Sequence, residues 1–200
     1  MHLEGVLPDM VTFLSCLKAC GSLHNIQKGR EIHADMERKG LLGEDVACSL
    51  VSFYAECGSL LEAQQVFNKL HVQDVNSWNA LIVGYMKNEH ELVALNCFEQ
   101  MEREGVSPNE ITFLCVLTAC LHSGKLNDAQ MYYENIVRKY GMTPTIEHHT
   151  CMVVVFGLLG HFDKVISMIK TVPSTDVPSV WITLLSFCRK WGNVELGRFL

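Results

Sequence analysis

VNSWNALIVGYMKNEHELVALNCFEQMEREGVSPN, residues 75–109, is the stretch from which the rest of the chain can be read. Trp78, Leu81, Ile82 and Tyr85 fall on one stripe at spacings of three and four, the period of an α-helix. Ala94, Phe98 and Met101 repeat the pattern in a second segment. Gly105 stops that segment and Pro108 keeps it from resuming. Two helices of this length cannot bury both apolar faces on each other, so the pair requires a neighbour on each side.

The neighbours are copies of the same unit. TFLSCLKAC at 12–20 returns as TFLCVLTAC at 112–120, identical at six of nine positions. An interval of 100 residues is too long for one helical repeat, but it divides into units of 34, 31 and 35 residues. The units run 10–43, 44–74, 75–109, 110–145, 146–177 and 178–200, and 1–9 is the tail of an earlier one, because EGVLPD parallels EGVSPN at 104–109. The columns agree. The twentieth holds Gly29, Ala63, Ala94, Ala129, Val165 and Gly197, small groups that let paired helices approach. The twenty-fourth holds His33, Phe67, Phe98, Tyr133 and Ile169, which fill the space between them. In the fifteenth, Gly58, Gly124, Gly160 and Gly192 suit a left-handed turn, whereas His24 and Glu89 predict two strained ones. The expected fold is all-α, a right-handed solenoid of stacked helix-turn-helix repeats. Both ends fall inside a unit, which predicts exposed apolar ends and poor solubility for this stretch alone.

With 48% hydrophobic and 19% charged residues in a chain of 200, a sizeable buried core is available. Nine cysteines, an odd number set mostly in apolar helical runs, read as small buried hydrophobes of a reduced, intracellular chain rather than a disulfide framework. No apolar run reaches the length of a membrane span. MHLEGVLPD, with two acidic residues and no arginine, reads as neither signal nor transit peptide. A formal charge of −6 opposes general binding of polyanions.

Several passages carry a resemblance to plant pentatricopeptide repeat proteins of the PLS class. VNSWNALIVGYMKN resembles a standard repeat, TFLSCLKAC and EITFLCVLTAC the long type, and SLVSFYAECGSLLEAQQVF the short type. IEHHTCMVVVFGLLGHFDKV is similar to the closing short repeat, and PSVWITLLSFCRKWGNVELG to the start of an E motif. The tetratricopeptide repeat, a peptide binder, has Trp, Leu, Tyr, Ala and Phe in comparable places. Here Ile82 stands where that family needs a small residue, and the lengths alternate.

The resemblance implies sequence-selective binding of single-stranded RNA in a mitochondrion or chloroplast, specifying sites of C-to-U editing or related processing. One repeat would face one base, read by the fifth and last residues of the unit, with the second packing on the base face. In 75–109 the readers are Asn79 and Asn109, set side by side along an inner surface. An amide offers donor and acceptor to a pyrimidine edge, and the Asn/Asn pair resembles those that favour cytidine first. Elsewhere the fifth position holds Cys48, paired with Asp74, and Thr150, paired with Val177; Leu14, with Gly43, and Leu114, with Thr145, cannot hydrogen-bond a base. The packing position holds Val11, Asp45, Asn76, Ile111 and Glu147, two of them carboxylates. Lys87 and Lys190 keep the basic thirteenth position that Glu56, His122 and Leu158 lack. Affinity on the order of micromolar or weaker near physiological salt is expected.

The implied partners are organellar RNA, accessory editing factors and a deaminase-bearing protein, with no cofactor, no membrane and no small-molecule substrate. The alternative is a protein-interaction scaffold in which Leu14 and Leu114 meet a partner. A decayed gene copy is a third reading of the lost readers. Asn79 is otherwise a solvated polar residue, and Trp78 and Trp181 read as packing groups rather than stacking platforms. Cys16, Cys20 and His24 share a stripe and His148, His149 and Cys151 cluster, but with no CxxC the pattern favours core cysteines and surface histidines over a metal. Neither H-x-E with P-C-x-x-C nor a phosphate-binding or nucleophile motif occurs, so the stretch is not read as an enzyme.

Overall fold

A computed structural model describes residues 9–171 together with Ile182, so 1–8, 172–181 and 183–200, with Val177, Trp181, Lys190, Gly192 and Gly197, lie outside the described residues. Among the described residues ten helices follow one another: α1 (Met10–Ser22), α2 (Ile26–Arg38), α3 (Glu44–Glu56), α4 (Leu60–Asn68), α5 (Val75–Lys87), α6 (Glu91–Arg103), α7 (Glu110–His122), α8 (Leu126–Arg138), α9 (Ile146–Leu158) and α10 (Phe162–Thr171). The odd-numbered helix of each pair is called the A helix and the even-numbered one the B helix. The chain divides into two compact units, Met1–Ser107 and Pro108–Leu200.

In the first unit α1, α3 and α5 pack side by side, and each also packs on its own B helix. The B helices α2 and α4 lean onto the next A helix, with no comparably close packing among themselves. The A layer is tight because its contact points are small. A Cβ on Gly84 of α5 would come within 2.5 Å of Ala55 Cβ on α3, and one on Gly29 of α2 would collide with the Phe53 ring of α3. The small residue at the twentieth place thus makes room for the following repeat's A helix as well as for its own partner.

The core follows the A–B seams. Trp78, Phe67, Phe98, Leu81, Ile82 and Met101 are essentially inaccessible in the first unit, and Phe113, Leu117 and Ile136 in the second. Trp78 and Phe67 meet edge to face with ring centroids 4.6 Å apart. That contact settles the role of Trp78 as packing. It has a cost, because Trp78 Nε1 is the one buried side-chain nitrogen or oxygen among the described residues without a hydrogen-bond partner. Such an orphan donor costs about 1–3 kcal/mol, and the edge-to-face pair offsets roughly 0.5–1.5 kcal/mol of it beyond area burial.

Within each unit polar bonds tie successive repeats. The Tyr54 hydroxyl lies 2.8 Å from His33 Nδ1, and the Tyr85 hydroxyl donates to Gln64 Oε1 at 2.9 Å. Arg30 reaches from α2 to Glu62 on α4 at 2.7 Å and holds that carboxyl below the usual range. Asn88 donates to the carbonyls of both Ala55 (2.9 Å) and Gly84 (2.8 Å), capping the ends of α3 and α5 together. In the second unit Lys164 on α10 donates to Gln130 on α8.

Two expectations about individual residues are corrected here. His148 is fully buried, not on the surface. The Thr145 backbone N–H donates to its Nδ1 at 2.9 Å, so its proton sits on Nε2 and is donated to the Glu110 carbonyl, also at 2.9 Å. A histidine that cross-links the first turns of α9 and α7 is satisfied without water. Cys16, by contrast, is exposed rather than core. Its equivalents Leu50, Leu81, Val116 and Met152 are all buried, but α1 packs only on α2 and α3 among the described helices, which leaves that side open.

Candidate nucleic-acid interface

Among the described residues the last residue of a repeat precedes each A helix as its N-cap, and at α1, α5 and α7 the cap side chain bonds the first turn. Asp9, Gly43, Asp74, Asn109 and Thr145 are the N-cap residues of α1, α3, α5, α7 and α9. Asp74 Oδ1 accepts from Ser77 N at 2.8 Å. Asn109 and Thr112 form a reciprocal capping box, each side chain bonded to the other's backbone N–H at 3.1 Å. The last residue of a repeat therefore has a structural task of its own, which the sequence reading missed. The signal was present: Asp, Asn and Thr immediately ahead of an apolar helical run are cap residues wherever they occur.

One residue past the start of α1, α5, α7 and α9 the side chain is exposed. Val11 is 69% exposed and Ile111 56%, with Asn76 and Glu147 exposed as well. Aliphatic groups that open to solvent are available to cover a flat apolar face, as a base presents. Asp45 has no described side chain.

One turn further on, the fifth position sits lower in the layer. Leu14, Cys48, Leu114 and Thr150 are half-buried. Asn79 is deeper still at 6% exposure, so it is not a solvated surface amide. It follows Trp78 on a helix that packs on α3, α4 and α6, and the burial continues across Ser77, Trp78 and Asn79. Thr150 donates its hydroxyl to the Ile146 carbonyl at 2.8 Å, which leaves the oxygen as an acceptor only.

Within each unit the paired positions fall on neighbouring A helices: Leu14 with Gly43 on α1 and the cap of α3, Cys48 with Asp74 on α3 and the cap of α5, and Leu114 with Thr145 on α7 and the cap of α9. Asn79 belongs to the first unit and Asn109 to the second.

Models of the PPR repeat family match residues 73–122, and of the PPR repeat residues 11–41. The Arabidopsis thaliana pentatricopeptide repeat-containing protein CRR2, chloroplastic, is 39% identical over 191 residues, 95% of this chain. A second chloroplastic pentatricopeptide repeat-containing protein of that plant is 36% identical over 196 residues, 98% of this chain.

The chain belongs to the pentatricopeptide repeat family.

It spans 29% and 35% of the length of those two relatives. The pentatricopeptide repeat protein PPR10 from maize has the same fold, with a TM-score of 0.67 at 22% identity over 85% of this chain and 25% of that one. The structure of PPR10 in complex with an 18-nt psaJ RNA element matches with a TM-score of 0.70, at 22% identity over 84% of this chain and 26% of that one. The all-helical solenoid fold is that of the pentatricopeptide repeats.

The charges on this repeat surface are sparse. Lys87, at the end of α5, lies 3.9 Å from Glu56, at the end of α3. Glu147 is exposed at the first turn of α9, and the Thr145 hydroxyl holds its carboxyl below the ordinary value. Four thiols are quiet: burial raises Cys97, Cys115 and Cys151 to about 11 and Cys120 to about 12. A thiol at those values is neither nucleophile nor ready metal ligand near neutrality. Among the described residues no group of three His, Cys, Asp or Glu side chains could hold a metal ion. No described helix is long and apolar enough to cross a membrane.

Proposed function

We propose that this stretch binds single-stranded RNA by its A-helix surface, one base per repeat, and serves to position an editing or processing activity supplied elsewhere. The observation that carries the reading is the recurring first turn. A cap residue and a recessed fifth residue recur on the A helices within each unit, and the second residue is exposed on α1, α5, α7 and α9. Repetition at one helix spacing suits a polymer of stacked bases better than a globular ligand. The RNA complex of PPR10, a protein of the same fold, supports the class of ligand.

Val11, Asn76 and Ile111 cover base faces in this reading, and Asn79 with Asn109 reads an edge, cytidine before other bases. Because Asn79 is recessed, the base it reads comes down to the helix surface rather than to a protruding side chain. Cys48 with Asp74, and Thr150, are weaker readers, and Lys87 contacts phosphate. The repeat types are those of the PLS class: long at 10–43 and 110–145, short at 44–74, standard at 75–109, closing short at 146–177, with an E motif beginning at 178. The protein acts in a chloroplast or mitochondrion, specifies C-to-U sites, and works with editing factors and a deaminase-bearing partner. This stretch binds and does not catalyse.

A second reading has its own observation. A groove of about 370 Å³ between α1 and α3 is lined by Leu14, Leu17 and Phe53 among serines, with Lys18 and Glu56 also in its wall, and its apolar part suits an aliphatic side chain of a protein partner. Leu114 holds the same place on α7. The two readings coexist if standard repeats hold RNA and long ones hold protein.

The test is a titration of the chain with one sequence as single strand and as duplex, over a range of salt. Single-strand binding on the order of micromolar near physiological salt, steeply salt-dependent, is expected. Equal binding of the duplex would remove the reading, since an A-form helix hides the base edges.

A further inference from the structure

The A helices of the first unit end at a cleft of about 530 Å³, lined by Gly21, Ser22, His24, Glu56, Lys87 and Asn88 with the turn residues between them. Glu56 also lines the groove of about 370 Å³ between α1 and α3, opposite Lys18. Among the described residues it is the single carboxylate in the lining of either space, and it shares one with Lys87 and the other with Lys18. Its carboxylate is placed there by backbone: a Cβ on Gly21 of α1 would collide with Glu56 Oε2, so the bare glycine makes the room it occupies. Lys87 Nζ lies 3.9 Å from it. Three helix C-termini converge on the cleft, and their partial negative charge adds to that of the carboxylate.

We infer that Glu56 is a negative determinant of strand binding, a built-in brake that engages Lys87 and repels phosphate from the surface lined by α1, α3 and α5. The inference rests on the RNA reading above and adds to it the residue that sets its affinity. With Glu56 ionised, the two clefts offer a phosphate chain two cations and one anion, and the Lys87 ammonium is partly spoken for. Neutralising Glu56 without changing its shape leaves Lys18 and Lys87 facing the strand unopposed.

The experiment measures binding of a short single-stranded RNA of mixed sequence to the whole chain at several salt concentrations. The variants are Glu56→Gln, Lys87→Gln, their combination, and Glu99→Gln. The last makes the same change in net charge at an exposed position on α6, away from the A layer. A carboxylate some 6 Å from a phosphate in water repels it enough to change affinity about threefold. Glu56→Gln is therefore expected to bind about threefold tighter at low salt, and its slope of log affinity on log salt to steepen by about 0.7 as one more phosphate is neutralised. Glu99→Gln should match the unaltered chain. Lys87→Gln should cost more in the Glu56→Gln background than alone.

If the unaltered chain binds RNA and Glu56→Gln binds no tighter, or if Glu99→Gln gains as much, the inference is overturned while the RNA reading stands. If Lys87→Gln costs the same in both backgrounds, Glu56 does not hold Lys87. No binding by any variant removes the RNA reading and this inference with it.

Discussion

Replacing Glu89 by glycine should stabilise the first unit. Glu89 has φ +62° and His24 has φ +52°, the two non-glycine residues in the left-handed region among those described. Each occupies the turn between an A helix and its B helix. At the corresponding place Gly58, Gly124 and Gly160 sit at φ +76°, +72° and +71°. An L-residue there is strained by about 1–2 kcal/mol through contact of its Cβ with the following carbonyl. Glycine relieves that, and gives back about 0.5–1 kcal/mol through its greater freedom in the unfolded chain. The net gain expected for Glu89→Gly is therefore about 0.5–1 kcal/mol, or about 1–4 °C in midpoint for a chain of this size. Glu89 is exposed, so its loss opens no cavity. Equilibrium denaturation by urea, followed by circular dichroism, measures it. Glu89→Ala is the control, since it removes the same carboxylate and keeps the Cβ. If alanine stabilises as much as glycine, the gain comes from charge and the strain argument is wrong.

Three further outcomes follow from the packing. Gly84→Ala places a methyl within 2.5 Å of Ala55 Cβ, and over-packing of that kind should cost about 1–3 kcal/mol in the same denaturation assay. Asn109→Ala removes the capping box at α7 and should cost about 1 kcal/mol, whereas Asn109→Asp keeps the cap and should cost little, which separates stability from base preference. Burial holds the His148 imidazole below its ordinary value of 6.5. Glu110 and Glu147 face it and oppose that shift, and His149 reinforces it. A depressed folded value means that the unfolded chain takes the proton first, so the contribution is complete above about pH 6.5 and lost as pH falls toward the lower folded value. His33 shifts the same way. His148→Gln should therefore flatten part, not all, of the stability loss between pH 7.5 and 5.5; an unchanged slope would show that the ring titrates normally.

How far the residues spoke for themselves differs with the kind of claim. Helix starts at Met10, Glu44, Val75, Glu110 and Ile146 were legible because a 3.6-residue period repeats in columns, and six copies average out the irregularity of any one. The strained turns at His24 and Glu89 were legible for the same reason, since a column of glycine makes a departure visible. What a residue does between repeats was not. Asn88 bonding two helix ends, Phe53 filling the space beside Gly29, and His148 buried between α7 and α9 each depend on the rotation of one repeat onto the next. A single repeat does not encode that rotation. The depth of Asn79 belongs with these: its place on α5 was readable, but its burial comes from how closely the neighbouring helices approach.

The central claim is that Asn79 selects a base. Competition among short single-stranded RNAs that differ at one nucleotide, measured with the unaltered chain and with Asn79→Thr, addresses it most directly. Preference for pyrimidine with cytidine foremost at one position, altered at that position alone by the substitution, is the outcome expected. Equal affinity for all four nucleotides at every position, or a preference that Asn79→Thr leaves in place, would contradict it.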